Sequence, residues 1–212
     1  MPPILSLHEQ RVLGCLLEKE ALTPDSYPLT LNSLRLACDQ KTSREPVLDL
    51  DEGMVSAALN GLKGRDLVFT RMDGRAPRYN HTLEKVAALN QAQRAVLTLL
   101  LLRGPQTAGE LRGRSGRLHE FQTPAEAEDA LNHLAGLTSG PWVQRLPRRP
   151  GEKEARWVHL LGGDLSVTDT EVEQAEAVDR ASELERRIVD LEREVAAMRF
   201  FIQNHPTEGH KG

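Results

Sequence analysis

Apolar residues recur at helical spacing in three segments of the first 64 residues. The first segment begins at residues 6–9, where Ser6 and Glu9 form a capping box, the second follows Thr30, and the third begins near residues 49–52. In the third segment the apolar positions are spaced i, i+3, i+4, i+7: Val55, Ala58, Leu59 and Leu62. Before the third segment Pro46 sets an extended stretch, in which Val47 and Leu48 can form a short first strand. Residues 67–71 and 78–81 then read as two strands joined by a turn. This pattern predicts three helices followed by a β-hairpin.

The same order recurs in the following hundred residues. Helices are predicted to begin at Asn90, Thr107 and Thr123, and strands are predicted at residues 142–146 and 155–160. The third helices of the two copies align, with Ala-Leu-Asn-Gly-Leu in the first and Ala-Leu-Asn-His-Leu in the second. Three helices and a hairpin, repeated, are typical of winged-helix domains. An unrelated α+β fold for each unit stays open, but the matched third helices favour the repeat.

After Gly163 the pattern changes to alternating steps of three and four. The apolar positions of this a/d seam are Ala181, Leu184, Ile188, Leu191, Val195, Met198 and Ile202. Such a seam over about three heptads is typical of a parallel two-stranded coiled coil. We therefore expect a homodimer held by this segment, with Leu184, Ile188, Leu191, Val195, Met198 and Ile202 at the dimerisation surface. A single helix that packs its stripe on the protein's own body stays open as the alternative.

The predicted fold class is therefore α+β and mostly helical, with two tandem winged-helix domains and a C-terminal coiled-coil helix. The first domain covers residues 1–85 and the second covers residues 86–163. Residues 164–212 form the acidic C-terminal segment, a possible coiled coil with a disordered end.

Several segments of the first half resemble the YceH-like family of bacterial proteins. They are residues 12–19, residues 23–29 with Tyr-Pro-Leu, and residues 37–47 with Gln-Lys-x-x-Arg-x-Pro-Val. The resemblance covers roughly residues 4–163 and implies tandem winged helices, which agrees with the internal repeat. It implies no biochemical role, because none is established for that family, and it does not extend to the heptad segment.

Charge is unevenly distributed along the chain. The formal net charge is −4, and residues 165–212 hold 6 of the 27 Lys/Arg and 11 of the 31 Asp/Glu. The body is therefore almost neutral and the tail acidic, so net charge gives no general attraction to nucleic acid. Cys15 and Cys38 suit a reducing compartment. The lack of a signal segment or of a long apolar run predicts a cytoplasmic protein with no membrane partner.

Motifs of the common enzyme classes do not occur in the sequence. There is no phosphate-binding glycine loop, no dinucleotide fingerprint and no nucleophile elbow, and His119-Glu120 lacks the second histidine of a zinc protease. We therefore expect a protein that is not an enzyme, with no catalytic residue, no cofactor and no metal site.

Nucleic-acid binding is proposed from residues on predicted exposed faces. Ser and Asn on the third helix can contact base edges, and cations before that helix and on the wings can contact phosphates. The candidate residues are Lys41, Arg44, Ser56, Asn60, Lys63, Arg71, Arg75, Arg78, Arg148 and Arg149. The third helix of the second domain carries Glu126, Glu128 and Asp129, which phosphates would repel. Pairing of the arginines with acidic residues of the body remains the alternative interpretation.

Two functions follow as hypotheses. In the first, the protein is a dimeric, non-enzymatic and possibly regulatory DNA-binding protein that uses its first domain and both wings. In the second, the winged-helix surfaces form a scaffold that binds protein partners without DNA. The neutral body favours the second hypothesis, and the Arg-rich wings favour the first.

Overall fold

The computed structural model describes residues 2–163 of the chain, with the exception of Asp73 and Arg75. The predicted dimerisation residues lie outside the described residues. The helices are α1 (Leu7–Leu22), α2 (Leu31–Cys38), α3 (Glu52–Gly64), α4 (Gln91–Arg103), α5 (Ala108–Ser115) and α6 (Pro124–Ala135). The strands are β1 (Leu29–Thr30), β2 (Val68–Arg71), β3 (Arg78–His81), β4 (Val143–Arg145) and β5 (Trp157–His159). The chain is thus mixed α+β, and the predicted order of three helices and a hairpin is confirmed in both repeats.

Side-chain caps start the helices at the predicted positions. The Ser6 hydroxyl accepts from the amide of Glu9 while the Glu9 carboxylate accepts from the amide of Ser6, at 3.3 and 2.7 Å. Asn90 forms the same reciprocal box with Gln93 at the start of α4. Because the first four amides of a helix have no partner inside it, these caps fix where each helix begins.

The sheet of the first repeat differs from the sequence prediction in its first strand. We expected Val47 and Leu48 to form it, but residues 45–51 form no strand, and the first strand is β1. Three antiparallel strands lie in the order β1-β3-β2, with Leu29 opposite Tyr79 and Val68 opposite His81. Strand β3 lies in the centre of the sheet and pairs with both β1 and β2, so the two residues of β1 are enough to cover its second edge.

The two repeats share one continuous apolar core. Helices α1 and α4 pack so closely that a Cβ atom added to Gly14 would lie 2.9 Å from Leu102 Cδ2 and 3.2 Å from Leu101 Cβ. The amide of Leu5, before α1, also donates to the carbonyl of Leu161, after β5. Residues 1–163 therefore form one compact unit. The domain boundary predicted near residue 85 lies inside that unit, between β3 and α4.

Candidate nucleic-acid interface

Three predicted contact residues lie along α3 at steps of four and three. Asn60 is exposed, whereas Ser56 and Lys63 are half-buried. The ammonium group of Lys63 lies over the ring of Tyr79 on β3, 5.1 Å from the ring centroid. This cation–π contact joins the end of α3 to the hairpin, so that helix and hairpin form one surface.

The β2–β3 hairpin carries two arginines at directly opposite positions. Arg71 ends β2 and Arg78 begins β3, and the two residues are Cα partners in the antiparallel register. Both residues are exposed. Arg78 Nη1 donates to the carbonyl of Pro28, just before β1, at 2.9 Å. Arg75, the third predicted cation of this hairpin, lies outside the described residues.

Arg44 does not belong to this surface, so its predicted role as a nucleic-acid contact is wrong. Its side chain is fully excluded from solvent. Nη2 and Nη1 donate to the two carboxylate oxygens of Glu18 at 2.6 and 3.0 Å, and Nε and Nη2 donate to the carbonyl of Ala37. Burial alone would lower the pKa of Arg44, but its hydrogen bonds to Glu18 outweigh burial and raise that pKa. The residue joins α1, α2 and the following loop and offers nothing to a phosphate.

Lys41, three residues earlier, is exposed and lies at the edge of a groove that the sequence prediction missed. Arg103 at the end of α4 lines the same groove, and its Nη2 donates to Ser43 Oγ at 2.7 Å. In the sequence Arg103 is a cation in the last turn of a helix, where it could simply complement the helix dipole. Its proximity to Lys41 requires knowledge of the helix packing.

Acidic neighbours neutralise many arginines of the second repeat. Arg145 lies 3.6 Å from Glu128 on α6, and Arg156 lies 2.9 Å from Glu110 and 3.4 Å from Glu152. These pairs agree with the alternative interpretation that the arginines balance the acids of the body. Arg148 and Arg149, in the loop between β4 and β5, are exposed. In the described part of the chain they form no ion pair, so they remain candidates.

Acidic and apolar side chains also occupy the exposed face of the helices. Asp51 caps α3 through its Oδ1, which accepts from the amide of Met54 at 2.7 Å, and Glu52 is exposed beside it. Leu36 on α2, Val47 in the loop and Met54 on α3 are 54%, 49% and 42% exposed. The N-terminal end of α3 therefore presents carboxylates and hydrophobic groups, which suit a phosphate backbone poorly.

Within the described residues no group of three or more His, Cys, Asp and Glu side chains is placed to hold a metal ion. None of the helices there combines the length and apolar character that crossing a bilayer requires. Cys15 and Cys38 are buried free thiols within the core.

Residues 5–152 match the model of a family described as "Protein of unknown function, DUF480". A UPF0502 protein of Geobacter sulfurreducens is 48% identical over 201 residues, covering 93% of this chain and 91% of the relative. A UPF0502 protein of Opitutus terrae is 44% identical over 192 residues, covering 89% and 84%. Another, from Chromobacterium violaceum, is 46% identical and covers 93% and 89%. The chain therefore belongs to the DUF480 (UPF0502) family of bacterial proteins.

Proposed function

We propose that residues 1–163 are two tandem winged helices, as the resemblance to the YceH-like family and the internal repeat suggest. We propose further that they bind double-stranded DNA without catalysing a reaction. The sheet order β1-β3-β2 and the placement of α2 and α3 before the hairpin support this proposal for the first repeat. In this interpretation the β2–β3 hairpin is the wing.

The exposed position of Arg71 and Arg78 carries the proposal. The two residues are Cα partners where β2 ends and β3 begins, and both are exposed. Guanidinium groups donate charge-assisted hydrogen bonds to phosphates, and such contacts hold a protein in register on a duplex. Two arginines at the same level of the hairpin can therefore contact neighbouring phosphates of one DNA backbone.

The acids at the start of α3 limit how the helix contributes. Asp51 and Glu52 would meet phosphates if the N-terminal end of α3 entered the groove first. Asn60, in the second half of the helix, is exposed and can pair bidentately with adenine. We infer that the wing supplies most of the affinity and that Asn60 supplies sequence discrimination.

A salt series on a mixed-sequence duplex tests this proposal. The logarithm of affinity falls with the logarithm of salt concentration by about 0.9 per phosphate contact, so Arg78→Ala should flatten that slope by roughly one unit on every sequence. Lys85→Ala removes the same charge from an exposed turn beyond the wing and should leave the slope unchanged. Asn60→Ala should reduce discrimination between sequences and keep the slope.

The competing proposal is a protein-binding scaffold, and the exposed Leu36, Val47 and Met54 favour it. Apolar groups of this size beside carboxylates suit a partner helix with apolar and basic residues. If no duplex binds at low salt, and if Leu36→Ser abolishes capture of a defined protein partner that the wild type retains, the scaffold proposal prevails.

Homodimerisation through the heptad seam stays a proposal from the sequence pattern. Light scattering at tens of micromolar on the full chain and on a chain ending at Gly163 tests it. A full-length protein that remains monomeric would contradict it.

A further inference from the structure

A concave groove of about 450 Å³ lies where the loop after α2 meets the C-terminal ends of α1 and α4 and the residues at the end of α5. Five cationic residues line it: Lys19, Lys41, Arg103, Arg114 and Arg117. Thr42 and Ser43 add two hydroxyl groups. Both repeats contribute, because α1 and the loop belong to the first and α4 and α5 belong to the second.

The acidic residues near the groove leave much of this charge uncompensated. Glu18 also lines the groove, but its carboxylate already accepts from the buried guanidinium of Arg44, and it lies 3.3 Å from Lys19. Arg114 lies 3.7 Å from Glu110 and donates to Gln106.

The remaining three cations of the groove have no carboxylate within 4.0 Å in the described part of the chain: Lys41, Arg103 and Arg117. Positive charges gathered in a recess attract an anion more strongly than the same charges spread over a convex surface, because the walls exclude water.

In the described part of the chain, Arg103 has one partnered nitrogen and one buried, unpartnered nitrogen. Its Nη2 is held by Ser43 Oγ at 2.7 Å, and its Nε is buried with no partner among the described residues. Burial lowers the pKa of Arg103, and the positive charges of Arg114 and Arg44 lower it further, against the weaker attraction of Glu45. A guanidinium that is fixed, partly desolvated and surrounded by like charges gains stability when an anion binds.

Four leucines also line the groove: Leu22 from α1, Leu99 and Leu102 from α4 and Leu118 after α5. A recess of this volume falls within the range of small-molecule pockets, about 300–1,000 Å³. A lining of cations and leucines suits a molecule with a phosphate group and a less polar remainder.

We propose that this groove binds the phosphate group of a small phosphorylated molecule. The site does not use the β2–β3 wing, so the inference goes beyond DNA binding and does not depend on it. A ligand here contacts both repeats and therefore stabilises their packing across α1 and α4.

Calorimetric titration of the full chain with inorganic pyrophosphate tests the proposal. The double variant K41Q/R117Q removes two exposed cations of the groove, and R148Q/R149Q removes two exposed cations from the β4–β5 loop as a matched control. A hydrogen bond to a charged group is worth about a factor of ten or more in affinity, so K41Q/R117Q should weaken pyrophosphate binding at least roughly tenfold. The control should bind as the wild type does.

Titration of the same three proteins, and of the single variant R117Q, with a mixed-sequence duplex identifies the source of the phosphate. R117Q leaves the predicted DNA contact Lys41 in place, so we expect it to weaken pyrophosphate binding and to retain duplex affinity and its salt slope. We also expect pyrophosphate not to displace the duplex. The proposal is overturned if about 5 mM pyrophosphate gives no binding to the wild type, or if both double variants lose it equally. It is also overturned if K41Q/R117Q loses only the duplex, since the groove would then be part of the DNA surface. The wing variant Arg78→Ala reports on the DNA proposal separately.

Discussion

Replacing Arg44 with methionine tests whether this cation serves the fold or a ligand. The side chain of Arg44 is fully excluded from solvent, and that of its partner Glu18 is only 10% exposed. Removing one member of a buried ion pair typically costs about 3–5 kcal/mol, because the other charge stays buried without compensation. The Ala37 carbonyl also loses the donors that Arg44 provides. We therefore expect Arg44→Met to lower the free energy of unfolding by about 3–5 kcal/mol.

Urea denaturation followed by circular dichroism measures this loss. With an m-value of about 2 kcal/mol per molar, the midpoint should fall by roughly 2 M. Glu18→Leu combined with Arg44→Met should recover part of the loss, because a well-packed apolar pair can replace a buried ion pair at little cost. A loss below about 1 kcal/mol, the range of exposed pairs, together with weakened duplex binding, would show that Arg44 acts on a ligand.

Acid provides a second readout of the same pair. Burial alone would raise the pKa of Glu18, but the hydrogen bonds and charge of Arg44 outweigh burial and hold that pKa below its ordinary value of 4.5. A carboxyl group with a lowered pKa in the folded state contributes stability that is complete above pH 4.5. The contribution disappears as the pH falls through the folded pKa, so Arg44→Met should flatten the stability curve below pH 4.5.

Three further changes test packing, titration and capping. Gly14→Ala forces a methyl group to 3.2 Å from Leu101 Cβ and should cost up to about 2 kcal/mol of stability after the gain in helix propensity. Gly113→Ala places a methyl group with nothing within 4 Å and should stabilise the fold by up to about 1 kcal/mol. Thermal melts in which both variants shift the midpoint in the same direction would contradict this. Burial lowers the pKa of His159 from 6.5 to about 4, so only the unfolded state takes up a proton between those two pH values. The free energy of unfolding should therefore fall by about 3 kcal/mol from pH 6.5 to pH 4. Replacing His159 with leucine should remove this fall. Asn90→Ala removes the capping box of α4 and should cost about 1 kcal/mol in urea, while Asn90→Ser should cost little.

The helices could be predicted from the sequence because their signals are local. The caps at Ser6, Asn90 and Thr107 and the stripes behind them depend on residues within a few positions of one another. Strand β1 could not be predicted, because two residues carry no periodicity and Leu29–Thr30 becomes a strand only through pairing with β3. Val47 and Leu48 were the wrong choice for that strand because an extended segment after proline need not find a partner.

The candidate site was predicted less well than the fold, for a reason that Arg44 and Lys41 illustrate. Both are cations of the same short loop, and their spacing gives no sign that one is buried against Glu18 and the other exposed. Burial of Arg44 depends on α1 placing Glu18 opposite that loop, which is a contact across 26 residues. The pattern of charged residues in a segment therefore does not show whether a cation is buried in an ion pair that stabilises the fold or exposed where a ligand can bind.

The same reasoning narrows the surfaces that can meet a ligand. Neighbouring carboxylates already balance the charges of Arg145 and Arg156, and Arg44 is buried, so a substitution at Arg44 changes stability as well as charge. Lys41 and Arg78 are exposed on different parts of the fold, the first beside the groove between the repeats and the second on the β2–β3 hairpin. Since a change at either position leaves the core intact, loss of binding there can be attributed to the lost contact. Separate losses of pyrophosphate and duplex binding would therefore establish two independent anion sites.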